Sequence, residues 1–357
     1  LKHLDIKGFG SKVCGLAWLA RTLYRVAILK AGSIFVRMNT LPYSEFKAAS
    51  WLPNGHFQTV FASLILPVAL PNYQREIIDL PDGDVVAADW LRGPEDSPLL
   101  VLIHGMEGSS ESNYSRLLMN ECQRRGWQGV VLHMRSCGGL INQRRNFYHA
   151  GFYQDIEYFV DQLLARRNLS KKIFLAGVSL GGSQVSHYLS KGKAQSRVQA
   201  AAMISTPLDL RGSADFMQGV LHRQYVKKFR NSLVKKYHMK AGLINDASMV
   251  NELSQSITFW DLDNAATAPL HGFRDAAHYY HEMSAKNCLK DISVPTLYLA
   301  SRDDPFIPED SLPNGDFQGG TLTALLTDHG GHVGFINQYG QSWMVPTVFN
   351  YFSMFNN

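Results

Sequence analysis

A chain of 357 residues, 45% of them hydrophobic, can bury a sizeable core, and it is longer than a typical domain of ~100–200 residues. One large domain carrying an insertion, or two domains, is therefore expected. The net charge of +5 comes from scattered basic residues, denser only between Arg223 and Lys236, and no stretch reads as a nucleic-acid motif. Cys14, Cys122, Cys137 and Cys288 form no C-x-x-C pair and the thirteen histidines show no H-E-x-x-H spacing, so neither a disulfide framework nor a metal site is indicated; reduced, buried thiols in a cytosolic protein are expected.

Residues 1–70 read as a helical N-terminal extension that ends in an irregular stretch, Trp51-Leu52-Pro53-Asn54-Gly55-His56. Within it, residues 13–38 are rich in apolar side chains but carry Arg21, Arg25, Lys30 and Arg37. Those charges argue against a bilayer span and against the order of a signal peptide. They leave an amphipathic helix with Trp18, Leu19, Leu23 and Val26 on its apolar face, packed on the body or lying on a membrane surface. Two strands follow, 74–80 and 85–91, joined by the turn Pro81-Asp82-Gly83-Asp84.

Short apolar runs then alternate with helix-prone segments. The runs are 99–103, 129–133, 173–176, 198–204, 296–300 and 322–326; the helices are 113–125, 153–166 and one opening near Gly181. Runs of this kind suit strands buried on both faces, so the fold class expected is α/β, with a mostly parallel central sheet flanked by helices. Its core spans 71–204 and 292–357. Between 205 and 291 the alternation stops, and the segment reads as a helical cap insertion above the strand ends. In it Phe216, Met217, Leu221, Phe229 and Leu233 are expected to turn toward the body, and the basic run His222–Lys228 toward water or a lipid surface.

The sharpest local feature is Gly177-Val178-Ser179-Leu180-Gly181, set between an apolar run and a helix-prone stretch. That is the context of a G-x-S-x-G nucleophile elbow, with Ser179 as the nucleophile. In this architecture the acid and the histidine follow in that order. Ser301-Arg302-Asp303-Asp304-Pro305 follows a late run, and Thr327-Asp328-His329-Gly330-Gly331-His332 follows the last one. His332 is the preferred base, because the two glycines before it let the loop turn its ring; His329 is read as structural. Asp304 is favoured as the acid for its D-P-x-x-P context, with Asp303 as the alternative. The oxyanion hole would use the N–H groups of Leu180 and of Met106, in the loop His104-Gly105-Met106-Glu107-Gly108 after the run 99–103. His104 itself is read as ordering that loop.

These motifs are joined by others: Trp51 to Thr59, Arg135-Ser136-Cys137-Gly138-Gly139, Thr267-Ala268-Pro269-Leu270-His271-Gly272-Phe273, and His329-Gly330-Gly331-His332-Val333-Gly334-Phe335. Together they resemble the YheT-like branch of the α/β-hydrolases, over roughly residues 45–340. Eukaryotic relatives of that branch include membrane-associated lipid hydrolases and yeast medium-chain ester enzymes. Relatives usually carry Gly where Ser136 stands. The resemblance implies a cytoplasmic or peripheral-membrane carboxylic ester hydrolase without metal or cofactor, acting on a small-molecule ester or lipid. The H-x-x-x-D spacing of His271 and Asp275 reads as a local contact, not as an acyltransferase signature.

Three functions compete on sequence grounds. The first is a serine esterase or lipase for short- to medium-chain acyl esters. The second is an acyltransferase that passes the same acyl-enzyme to an alcohol. The third is a non-catalytic lipid-binding module on a hydrolase scaffold. Nothing in the sequence sets an oligomeric state.

Overall fold

The structure, a computed structural model, describes residues 44–164, 172–192, 197–313 and 321–356. The amphipathic segment 13–38, Cys14 included, lies outside the described residues.

Eight strands form one sheet: β1 (Gln74–Asp79), β2 (Val85–Leu91), β3 (Leu99–Ile103), β4 (Gln128–Leu132), β5 (Ile173–Val178), β6 (Val198–Ile204), β7 (Thr296–Ser301) and β8 (Leu322–Thr327). Each apolar run of the sequence is one of them. Their order across the sheet is β1-β2-β4-β3-β5-β6-β7-β8. β2 runs antiparallel to both β1 and β4, and all other neighbours are parallel. Every residue of β2, β3, β4, β5 and β7 is buried, as strands covered on both faces require. From β3 the chain steps outward to β4 on one side, then returns to β5 on the other. That reversal opens a crevice at the carboxyl ends of β3 and β5, where Ile103 pairs with Gly177.

Among the described residues the helices are α1 (Gly55–Val60), α2 (Asn113–Arg125), α3 (Gln154–Glu157), α4 (Leu180–Lys191), α5 (Leu210–Phe216), α6 (Arg223–Met239), α7 (Ala241–Ile244), α8 (Ala247–Gln255), α9 (Phe259–Leu262), α10 (Ala268–His271), α11 (Ala276–Met283) and α12 (Met344–Ser353). Asn54, expected in an irregular stretch, caps α1 by accepting from Phe57 N–H at 3.2 Å, and the chain continues as a π-helical turn, Phe61–Ile65. α3 likewise passes into π-helical geometry at Tyr158–Leu163. α12, which the sequence reading did not single out, buries Val345, Val348, Phe349 and Phe352. Its rings meet Trp127, just before β4, edge-on through Phe349 (5.3 Å) and Phe174 of β5 at a tilt through Phe352 (5.0 Å).

One buried charge cluster secures the loop after β4. Arg135 bonds Asp82 (2.7 Å), Asp84 (2.9 Å) and Asp155 (2.7 Å), tying the β1–β2 turn to the start of α3. Ser136 takes a left-handed φ of 61°. Its hydroxyl bonds the Asn142 side chain at 2.5 Å, a local contact that offsets the cost of that conformation. Cys122, Cys137 and Cys288 are buried free thiols.

Between β6 and β7 the chain is helical, from α5 to α11, with short 3₁₀ turns. One expectation for this segment needs correction. Phe216 (42% exposed) and Leu221 (73% exposed) do not face the body, whereas Met217 and Leu233 are buried. The five residues do not share one helix, because α5 stops at Phe216 and a 3₁₀ turn, Val220–His222, intervenes. The basic residues of the segment fall into two groups. Arg223, Lys227 and Lys228 are exposed. Lys236 and Lys240, however, continue the inward face of Val226, Phe229 and Leu233 at helical spacing, and Lys240 is 1% exposed. Lys240 donates to Asn142 Oδ1 (2.8 Å) and to the carbonyls of Arg145 and Asn146, and its ammonium sits 4.0 Å from the Phe147 ring centre.

Candidate active site

β5 ends at Val178 and α4 begins at Leu180, which isolates Ser179 at the turn with φ 53° and ψ −123°. A non-glycine residue in that region is strained, and its neighbours must leave room for it. A Cβ at residue 177 would lie 2.5 Å from Gly181 O, and one at 181 only 2.3 Å from His104 O. Only glycine fits either place. Ser179 N–H donates to Ile204 O at 2.8 Å, locking the turn to the end of β6.

The loop after β8 brings a histidine to the same point. His332 Nε2 lies 2.9 Å from Ser179 Oγ. His332 N–H donates to Thr59 Oγ1 at 2.8 Å, and Val333 N–H to Ser205 Oγ at 3.1 Å. Phe306 packs over the His332 ring at 4.4 Å between centres.

The two adjacent carboxylates after β7 divide their work. Asp304 approaches His332 Nδ1 at 2.8 Å through Oδ2 and accepts Phe306 N–H at 2.7 Å through Oδ1. Its side chain is wholly buried. Asp303 Oδ1 instead accepts Gly331 N–H at 2.8 Å and the Ser301 hydroxyl at 3.0 Å, and its Oδ2 lies 3.4 Å from the exposed ring of His329. Asp303 and His329 thus order the two loops, while Ser179, His332 and Asp304 form one chain of contacts. With a carboxylate facing Nδ1, that nitrogen carries the proton, and Nε2 is left to accept from the Ser179 hydroxyl.

The loop after β3 lies against the elbow: a Cβ at residue 105 would stand 3.2 Å from Ser179 Cβ. Met134 N–H donates to His104 Nε2 at 3.1 Å, so the His104 proton sits on Nδ1 and is donated to Gly105 O at 2.7 Å. Burial first, then neighbouring His133, pushes the His104 pKa down to about 3 and keeps the ring neutral. This is the ordering role expected for it. The amides of Met106 and Leu180 have no hydrogen-bond acceptor among the described residues, and the latter opens α4, where helix N–H groups are unpaired.

A cavity of about 550 Å³ opens from Ser179 and His332, lined by α5, α6, α9, α10 and α11. Leu210, Met217, Phe229, Leu233, Phe259 and Leu270 give it apolar walls. Its polar lining includes His149, His271 and Asp263. Burial lowers both histidines, His271 to about 4, and raises Asp263 to about 6 against the pull of Thr267 and Tyr280, whose hydroxyls donate to it. His271 and Asp275 do not act together: Asp275 caps α11 through His278 N–H at 2.7 Å, and His271 packs edge-on to His149 at 4.7 Å. Among the described residues no group of three or more His, Cys, Asp or Glu side chains could hold a metal ion. Thr59, Phe306, Glu107 and Lys236 are parts of the site that sequence reading did not assign. Thr59 ends the Trp51–Thr59 motif and Glu107 sits in the loop after β3, but only tertiary contact gives them roles.

The alpha/beta hydrolase fold family matches residues 98–339 of this chain. YheT of Escherichia coli (strain K12), whose name carries a provisional esterase assignment, is 32% identical over 315 residues, spanning 85% of this chain and 92% of its own. The medium-chain fatty acid ethyl ester synthase/esterase 2 of Saccharomyces cerevisiae is 26% identical over 394 residues, spanning 88% of this chain and 86% of its own. Among solved structures, an esterase of Pyrococcus furiosus superposes with a TM-score of 0.54 at 16% identity, over 83% of this chain and 99% of that one, a likeness of fold.

Proposed function

The chain belongs to the α/β-hydrolase fold family, and from that membership we propose that it is a serine hydrolase of carboxylic esters that works through an acyl-enzyme on Ser179. One observation carries the reading: the unbroken run of contacts from Ser179 to His332 (2.9 Å) to Asp304 (2.8 Å), at the mouth of an apolar cavity.

In this mechanism His332 Nε2 takes the Ser179 proton as Oγ attacks the ester carbonyl carbon. The carbonyl electron pair moves onto oxygen, and the Met106 and Leu180 amides stabilise that charge. His332 returns the proton to the leaving alcohol as the C–O bond breaks. Water, deprotonated by the same nitrogen, then releases the acid and restores Ser179. Asp304 holds the tautomer and offsets the imidazolium charge in both halves.

The substrate class is short- to medium-chain acyl esters or lipids. A cavity of about 550 Å³ lies in the range of small-molecule sites, roughly 300–1,000 Å³, and its apolar walls suit an acyl chain. A second reading, acyl transfer to an alcohol, is favoured by the name of the yeast relative, which includes ester synthesis. Both use the same acyl-enzyme, and product analysis with a competing alcohol separates them.

The test is hydrolysis of p-nitrophenyl esters by the wild type and Ser179→Ala. The variant should keep its fold, because one partly exposed hydroxyl is lost, and its turnover should fall about a thousandfold or more. A variant with near wild-type turnover would end the proposal, and a wild type that binds but never turns over esters would favour a lipid-binding module.

A further inference from the structure

Beside the site, Glu107 is buried, 6% exposed on its side chain, yet it belongs to the loop that carries Met106. The loop is a turn closed by Gly108 N–H donating to Gly105 O at 2.9 Å. Its third residue, Glu107, has φ 55°, the left-handed value that a type II turn demands and that glycine usually supplies. A glutamate there needs compensation, and it finds it in two other parts of the chain. Glu107 N–H donates to Tyr148 Oη at 3.0 Å, and the Tyr148 hydroxyl donates back to Oε1 at 2.6 Å. Lys236 Nζ donates to Oε1 at 2.6 Å, and the Ser232 hydroxyl donates to Oε2. Both of these last partners stand on α6, which also walls the cavity through Phe229 and Leu233.

The peptide that carries Met106 N–H is the one whose carbonyl is Gly105 O. In a trans peptide the two point in opposite directions. Gly105 O is held by His104 Nδ1 and Gly108 N–H, so the aim of Met106 N–H depends on the turn keeping its shape. We propose that Glu107 is a positioning residue for the oxyanion hole, and that the Lys236 and Ser232 contacts make the aim of the Met106 amide depend on the seating of α6. Catalytic competence and the wall of the acyl cavity are then set by one helix. This inference rests on the ester-hydrolase reading and adds to it a link between cap and hole.

The experiment compares Glu107→Gln, Lys236→Met, Lys236→Arg and the double variant Glu107→Gln/Lys236→Met. Each is measured for kcat and KM on p-nitrophenyl butyrate, and for affinity toward an alkyl trifluoromethyl ketone, which adds to Ser179 and places its oxyanion in the hole. Mispositioning of about 1 Å can cost up to about a hundredfold. Glu107→Gln and Lys236→Met should each lower kcat about tenfold or more, with KM within about twofold, and should weaken the ketone in parallel. Lys236→Arg should recover most of the loss. The double variant should be no worse than the poorer single one, because both act through one contact. Folded single variants with wild-type kcat and ketone affinity would overturn the proposal, as would losses that multiply in the double variant. If Lys236→Met does not fold, the near-isosteric Glu107→Gln and the conservative Lys236→Arg decide alone. A wild type without turnover or ketone binding would instead sink the ester-hydrolase reading itself.

Discussion

Replacing Asp304 by Asn changes one atom type, and the surrounding contacts say where that change falls. Phe306 N–H points at Oδ1 from 2.7 Å and needs an acceptor there. The amide oxygen of an Asn is therefore held at that position, and its NH₂ group occupies the Oδ2 position, 2.8 Å from His332 Nδ1. A donor at that nearer position favours Nδ1 as an acceptor over the longer, 3.1 Å contact of Nδ1 with the Oδ1 position, and so moves the ring proton to Nε2. His332 can then no longer take the Ser179 proton. The same exchange in a serine-protease triad costs about 10⁴ in kcat, or about 5 kcal/mol at ~1.36 kcal/mol per decade. Asp303→Asn keeps its oxygen toward Gly331 N–H and the Ser301 hydroxyl, and gives up only a 3.4 Å contact to exposed His329. It should lose less than about tenfold, the scale of one ordinary hydrogen bond of ~1 kcal/mol. Steady-state kcat on one p-nitrophenyl ester, with circular dichroism to check folding, compares the two. If Asp303→Asn proves the more damaging while both variants remain folded, the assignment of Asp304 as the acid fails.

Asp263 ties stability to pH. Its folded pKa of about 6 lies above the usual carboxylate value of 3.8, so the folded state holds the proton more tightly. Its contribution is full below about pH 4 and is lost as pH rises through about 6, some 3 kcal/mol in all. Asp263→Asn should therefore gain stability relative to wild type between pH 4 and 7 in urea unfolding; parallel curves would refute the shift. Arg135→Met should destabilise by about 3 kcal/mol or more in the same assay, because it leaves the buried Asp84 charge without its cation, and a loss below about 1 kcal/mol would show that the cluster is not structural. Catalytic efficiency should rise from acetate toward medium chains by up to roughly fourfold per CH₂, the equivalent of ~0.8 kcal/mol, then level off when the cavity is full. Acetate as the best ester would mean a small polar site.

The strands were legible because β3 and β5 are apolar without interruption, and such runs have no other stable home in a chain of alternating helices. Ser179 was legible because the elbow's backbone demands glycine at 177 and 181, which is a local constraint written in residue type. The choice between Asp303 and Asp304 was not. Adjacent residues project in different directions, and which one meets His332 depends on a turn fixed by Phe306 N–H and Gly331 N–H. The inward lysines were hidden for a related reason. Composition marks Lys236 and Lys240 as solvent-facing, and only the partners, Glu107 and Asn142, far away in sequence, make their burial affordable. The false stripe through Phe216 and Leu221 came from extending one helical period across a break at Gly219.

The proposed chemistry stands or falls with Ser179 as the nucleophile. Treating the protein with a fluorophosphonate and locating the adduct by peptide mass spectrometry tests it most directly, with Ser179→Ala and His332→Ala as companions. A single adduct is expected on Ser179, and both variants should lose it, because the hydroxyl is unreactive without its base. An adduct on another residue, or undiminished labelling of Ser179→Ala, would contradict it.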